Sequence, residues 1–128
     1  MPAADYSPLV ERYFAQPMGA GRWPAGAGPT VGGEAGSEEQ GTRVRFELRS
    51  DGGVVTEARF QAFGCPHTIA VAAWLTEHLA GRPLDRAMPI PILEVGELLE
   101  VPAEKRGRLL VVEDALRAAL AQAQKRRE

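Results

Sequence analysis

A chain of 128 residues, 45% apolar and 25% charged, has the size and composition of one soluble domain able to bury a core without covalent staples. Its formal net charge of -2, from 15 basic and 17 acidic residues, predicts no general attraction to nucleic acid or to an anionic membrane surface. A single cysteine excludes an internal disulfide and a metal site built from several thiolates of one chain. No stretch is apolar for long enough to span a bilayer, and the N-terminal MPAADYSPLVERYF lacks a basic region followed by an apolar run, so a cytoplasmic location is expected.

In chain order, Tyr6 to Ala15 reads as a short amphipathic helix. Ser7 is placed to cap it, Pro8 suits its first turn, and Leu9, Val10, Tyr13 and Phe14 gather on one face before Pro17 ends it. Gly19 to Gly41 is rich in Gly, Pro, Ala and Glu and predicts a long loop, expected to be mobile (residues 19–41). Arg43–Leu48 alternates strictly and predicts a strand with Val44, Phe46 and Leu48 inward. Ser50-Asp51-Gly52-Gly53 predicts a hairpin turn, and Val54 to Phe63 the return strand with Ala58, Phe60 and Ala62 inward. Outward Arg43, Arg45, Glu47, Glu57 and Arg59 read as a solvated sheet face of mixed charge.

Phe63-Gly64-Cys65-Pro66-His67-Thr68 opens a helix over Ile69 to Ala80. Pro66 occupies its first turn, with Gly81 as C-terminal cap and Pro83 as stop. A short helix is predicted around Leu93 to Leu99, closed by Pro102. A long one follows over Leu109 to Arg126, with Glu113 and Asp114 early and Lys125, Arg126 and Arg127 at its end, complementing the helix dipole. Helices in series with an antiparallel hairpin predict the α+β class, helices lying on one face of the sheet.

Taken as text, several segments resemble the IscU/NifU N-terminal family of iron–sulfur cluster assembly scaffolds. Tyr6-Ser7-Pro8-Leu9-Val10 is similar to that family's opening, and Val31-Gly32-Gly33-Glu34-Ala35 to the approach to its first cysteine. Ala58 through Cys65 resembles the run that ends on its second cysteine. Gly81 through Ala87 and Glu113 through Leu120 resemble the segments after its central helix and in its last helix. The resemblance implies one IscU-like domain over 1–128, with a small antiparallel sheet and helices on one face. It also implies a role in cluster assembly beside a cysteine desulfurase or other assembly proteins.

The ligands do not carry over with the likeness. In the family three cysteines and a histidine hold a cluster or zinc ion; here the first-cysteine slot falls in Gly36-Ser37-Glu38, with Glu39 close by, and the His-Cys pair aligns with Gly107-Arg108. Cys65 alone remains as cofactor-binding thiol and candidate acceptor of persulfide sulfur. A weak iron or zinc site from Cys65, His67 and Glu38 or Glu39 is one alternative, and no bound group at all is the other. Cys65 at a helix start reads either as a small packed side chain or as a thiol activated by the helix N-terminus, with His67 and Arg108 as nearby cations. His67 in its own right reads as a surface histidine of the first turn, and His78 as structural. Lys105-Arg106-Gly107-Arg108 reads as a solvated loop, not a nucleic-acid patch. Val101-Pro102-Ala103-Glu104-Lys105 keeps only a proline and a lysine of the family's Hsp70-docking tract, so docking to such a chaperone is not carried over. Two functions follow: an atypical, non-enzymatic scaffold or accessory of cluster assembly, or an interaction module that kept the fold and lost metal and cluster binding.

Overall fold

The structure, a computed structural model, describes residues 6–15, 20–21, 30–84 and 92–127. Its elements run α1 (Pro8–Ala15), β1 (Val31–Ser37), β2 (Thr42–Asp51), β3 (Val54–Phe63), α2 (Pro66–Leu79), α3 (Ile92–Leu98) and α4 (Gly107–Arg127), with a 3-10 turn at Ala103–Lys105. The three strands form one antiparallel sheet in the order β1-β2-β3. This is the α+β arrangement that the element order predicted.

Strict alternation makes the β2–β3 hairpin. Val44, Phe46 and Leu48 are buried on one face together with Val55, Ala58 and Phe60, so pairing and burial demand the same register. The turn closes through Gly52 and Gly53, both at positive φ (60° and 82°), the geometry a two-residue hairpin loop requires. The outer face carries a charge ladder: Arg43 and Arg45 meet Glu34 at 2.9 and 3.7 Å, and Arg49 meets Glu57 at 3.8 Å. These pairs are partly exposed and add little stability, and Glu47, expected outward and solvated, is instead buried beside Arg45.

α4 lies over β1 and β2, α2 lies over β3, and α1 packs on α2. The buried face of α4 is Leu109, Val112, Ala115, Leu116, Ala119, Leu120 and Ala123, an i, i+3, i+4, i+7 series. Ser7 fixes the start of α1 as predicted: its Oγ accepts from the Val10 N–H at 3.2 Å and donates to the Leu99 carbonyl at 2.7 Å. Among the described residues, no helix is long and apolar enough to cross a membrane.

One expectation is corrected. The span 19–41 is not simply a loop: Val31–Ser37 is a strand, paired with β2 from Val31–Leu48 to Ser37–Thr42, and Gly21 donates its N–H to the Phe60 carbonyl on the free edge of β3 at 2.8 Å. Glycines that read as loop are there because α4 presses on β1. The residues at 16–19 and 22–29 lie outside the described set, and so does any statement on their mobility.

Candidate functional site

Register places the site. Arg43 pairs with Phe63, so the chain leaves β3 through Gly64 and Cys65 at the end of the sheet that also carries the β1–β2 turn, Ser37 to Thr42. The first turns of α4 lie over that same end, where a side chain on Gly36 would meet Val111 Cγ1. One end of the sheet thus gathers the β1–β2 turn, the start of α2 and the start of α4.

Cys65 is the N-cap of α2. Its backbone is extended (φ −79°, ψ 168°) and Pro66 takes the first helical position, where its missing N–H is no loss. The half-buried sulfur lies 3.6 Å from the Thr68 hydroxyl and makes no side-chain capping hydrogen bond to the first turn of α2. Arg108, from the first turn of α4, is among the groups that favour the thiolate of Cys65. Burial pushes the thiol up, but the two Thr68 contacts, Arg108 and the His67 N–H outweigh it, and the net pKa lies below that of an ordinary cysteine. A lowered pKa favours the thiolate form. Alkylation with iodoacetamide across pH is expected to show a midpoint below that of a free thiol; a midpoint at or above it would restore the inert reading.

His67 departs from expectation. It is buried, 2% exposed, with its ring 4.9 Å from that of Tyr6, and among the described residues neither ring nitrogen has a hydrogen-bond partner. Burial lowers its pKa, and the positive charges of Lys105 and Arg108 lower it further against a weaker opposing effect of Glu104. It stands at neutral pH as an uncharged imidazole, so the activating cation beside Cys65 is Arg108, not His67. His78 is structural as read: its ring stacks on Trp74 at 3.8 Å and its Nδ1 shares a hydrogen bond with the Trp74 carbonyl. Lys105 and Arg106 lie not in an open loop but in the 3-10 turn and its cap, with Arg106 Nε donating to Val101 O at 3.2 Å.

Glu38 and Glu39 are exposed in the β1–β2 turn, and the Glu38 carboxylate pairs with Arg43 at 3.6 Å. The turn shares its end of the sheet with Cys65. Yet Cys65, His67, Glu38 and Glu39 are not drawn into one group: among the described residues, no three or more His, Cys, Asp or Glu side chains are placed to hold a metal ion. A cluster needs a closed set of soft ligands, and here one thiolate faces a guanidinium and a base with no free approach. The residues present do not fit a cluster held by a single chain.

Two contributors escaped the reading of the sequence. Thr68 sits three residues after the N-cap, the spacing at which a side chain reaches back to a cap, and this signal was there to be used. Tyr6, which covers His67, comes from the far end of the chain and left no local mark.

The whole chain can now be set beside known proteins. A family model described as the NifU-like N terminal domain matches residues 5–128. The iron–sulfur cluster assembly scaffold protein IscU of Escherichia coli K12 is 30% identical over 124 residues, covering 96% of this chain and 97% of that one. The nitrogen fixation protein NifU of Azotobacter chroococcum is 36% identical over 120 residues, which are 91% of this chain and 38% of that relative. Among solved structures, the N-terminal part of a NifU-like protein from Brucella abortus superposes with a TM-score of 0.68 over 93% of this chain and 94% of its own. An assembly protein of the SUF system from Fervidobacterium islandicum gives 0.70 over 94% and 99%. At 15 and 16% identity, these two speak for the fold alone.

Proposed function

Since the chain belongs to the NifU-like N-terminal domain family, we propose that it serves iron–sulfur cluster assembly as an atypical member whose chemistry rests on Cys65. The observation that carries this reading is the sulfur of Cys65 at the start of α2, half-buried and 3.6 Å from the Thr68 hydroxyl, at the end of the sheet where α4 also begins. Such a thiolate is a nucleophile suited to accept sulfane sulfur. The partner is a cysteine desulfurase, which supplies sulfur as a protein persulfide. The protein is then not an enzyme but an acceptor of sulfur.

Mixing the protein with the host's cysteine desulfurase and cysteine, trapping with iodoacetamide and weighing the Cys65 peptide tests the proposal. One added sulfur is expected on Cys65, and none in Cys65→Ser, whose hydroxyl is not ionised at neutral pH. Binding to the desulfurase without transfer would instead favour the second reading, an interaction module that kept the fold. That reading draws on Arg108 occupying the place beside the only thiol. Neither binding nor transfer would overturn both.

A further inference from the structure

We propose that the outer face of the sheet carries a binding site for a small carboxylate with a flat apolar body, built by Arg43, Arg45, Gln61 and Phe63. The register brings these four side chains together. Arg43 pairs with Phe63 and Arg45 with Gln61, and strand alternation turns all four away from the face that buries Val44 and Phe46. Between them lies a cavity of about 160 Å³, lined by Arg43, Arg45, Gln61, Ala62 and Phe63. A cavity of about 150 Å³ is large enough to take a benzene ring. Of the described residues that line this one, none is acidic. The site is separate from the sulfur chemistry of Cys65 and does not rest on it.

The acids of this face hold the two guanidiniums without lining the cavity. Arg43 gives its Nε and Nη2 to the Glu34 carboxylate at 3.0 and 2.9 Å, and Arg45 meets Glu34 at 3.7 Å and Glu47 at 3.4 Å. Glu34 belongs to β1, on the side of β2 opposite to Gln61 and Phe63. Each guanidinium is therefore fixed in direction while some of its five N–H groups remain for a ligand. Arg45 Nε is buried and has no hydrogen-bond partner among the described residues, an unmet donor of a residue that lines the cavity. The exposed Gln61 amide adds two more donors. Phe63, half-exposed beside them, offers a ring face on which a flat apolar group can lie. Glu34 and Glu47 offset much of the arginine charge, so the site provides directed donors more than a net positive field. That suits a planar, singly charged carboxylate better than a doubly charged phosphate.

The test is an NMR titration of the isotope-labelled, intact protein with hydrocinnamate, a carboxylate that carries one phenyl ring. Saturable shifts are expected at the backbone signals of Gln61 and Phe63 and at the side-chain Nε–H of Arg45. The dissociation constant should be on the order of 1 mM, the range open to a ligand of so few atoms. Two further probes separate the parts of the site. Hydrocinnamamide keeps the ring without the charge, and inorganic phosphate keeps the charge without the ring. Each is expected to bind at least about tenfold more weakly. Gln61→Glu puts a like charge into the cavity with almost no change of shape at an exposed position, and should weaken hydrocinnamate by about tenfold as well. Shifts that fail to saturate, an amide or a phosphate that binds as well as hydrocinnamate, or an unchanged affinity in Gln61→Glu would each overturn the proposal. None of these readouts involves sulfur. A failed sulfur transfer therefore leaves this site standing, and a failed titration leaves the acceptor reading standing.

Discussion

Gly33→Ala is expected to destabilise the protein by about 3 kcal/mol, enough to lower the urea midpoint markedly with little change in slope. Gly33 is buried in β1, and a Cβ built there would press on the Ala119 backbone nitrogen, lie 2.6 Å from the Ala118 carbonyl carbon and 2.7 Å from the Ala115 carbonyl oxygen. All three are main-chain atoms of α4, which cannot swing aside as a side chain can. The strand and the helix would have to separate. Gly32→Ala is the control, because its new methyl meets only the guanidinium of Arg45, the far end of a side chain whose ion pairs with Glu34 and Glu47 are partly exposed, and less than about 1 kcal/mol is expected. Equal effects at the two positions would show that α4 does not sit tightly on β1. Since α4 also carries Arg108, the Gly33 variant should lose part of the lowered alkylation midpoint of Cys65 as well.

A second large effect lies on the acid side. Unfolded, a histidine takes up its proton near pH 6.5; folded, His67 resists it, because it is buried and faces Lys105 and Arg108. Between the unfolded and the folded value the unfolded chain binds more protons. Stability is therefore full above about pH 6.5 and lost as pH falls below it through the folded value. Most carboxylates stay ionised until lower pH, so the limb between about pH 6.5 and 5 isolates this histidine from them. His67→Leu is expected to flatten that limb. At pH 7 it should be neutral or mildly stabilising, since it removes two buried nitrogens without partners among the described residues. Urea unfolding at a series of pH values measures both. An acid limb just as steep in His67→Leu would place the linked proton elsewhere.

The two effects share a cause that bears on the site. The start of α2 and the body of α4 are each fixed by packing, an uncharged ring under Tyr6 in the first and glycine against helix backbone in the second. Leu109 and Val112 anchor the first turns of α4 in the apolar core.

The sequence by itself determined the hairpin and the helices. Arg43–Leu48 and Val54–Phe63 alternate with period two, Gly52-Gly53 permits one tight turn, and the Leu109–Ala123 series has the period of a helix, so each of these elements is written in its own residues. It also singled out Cys65, because Pro66 and the apolar run beyond it mark a helix start. Only the tertiary structure decided β1: Val31-Gly-Gly-Glu-Ala-Gly-Ser lacks the branched and aromatic residues of a strand, and it becomes one because glycine alone lets α4 approach β1 so closely. The state of His67 was likewise settled at a distance, by Tyr6 from before α1 and by Lys105 and Arg108 from around the start of α4, residues that meet only in the folded chain. Periodicity is local and can be read along the chain. Burial and electrostatic field are sums over neighbours in space, and for that reason the cysteine and Arg108 were visible in the sequence while the buried, uncharged state of His67 was not.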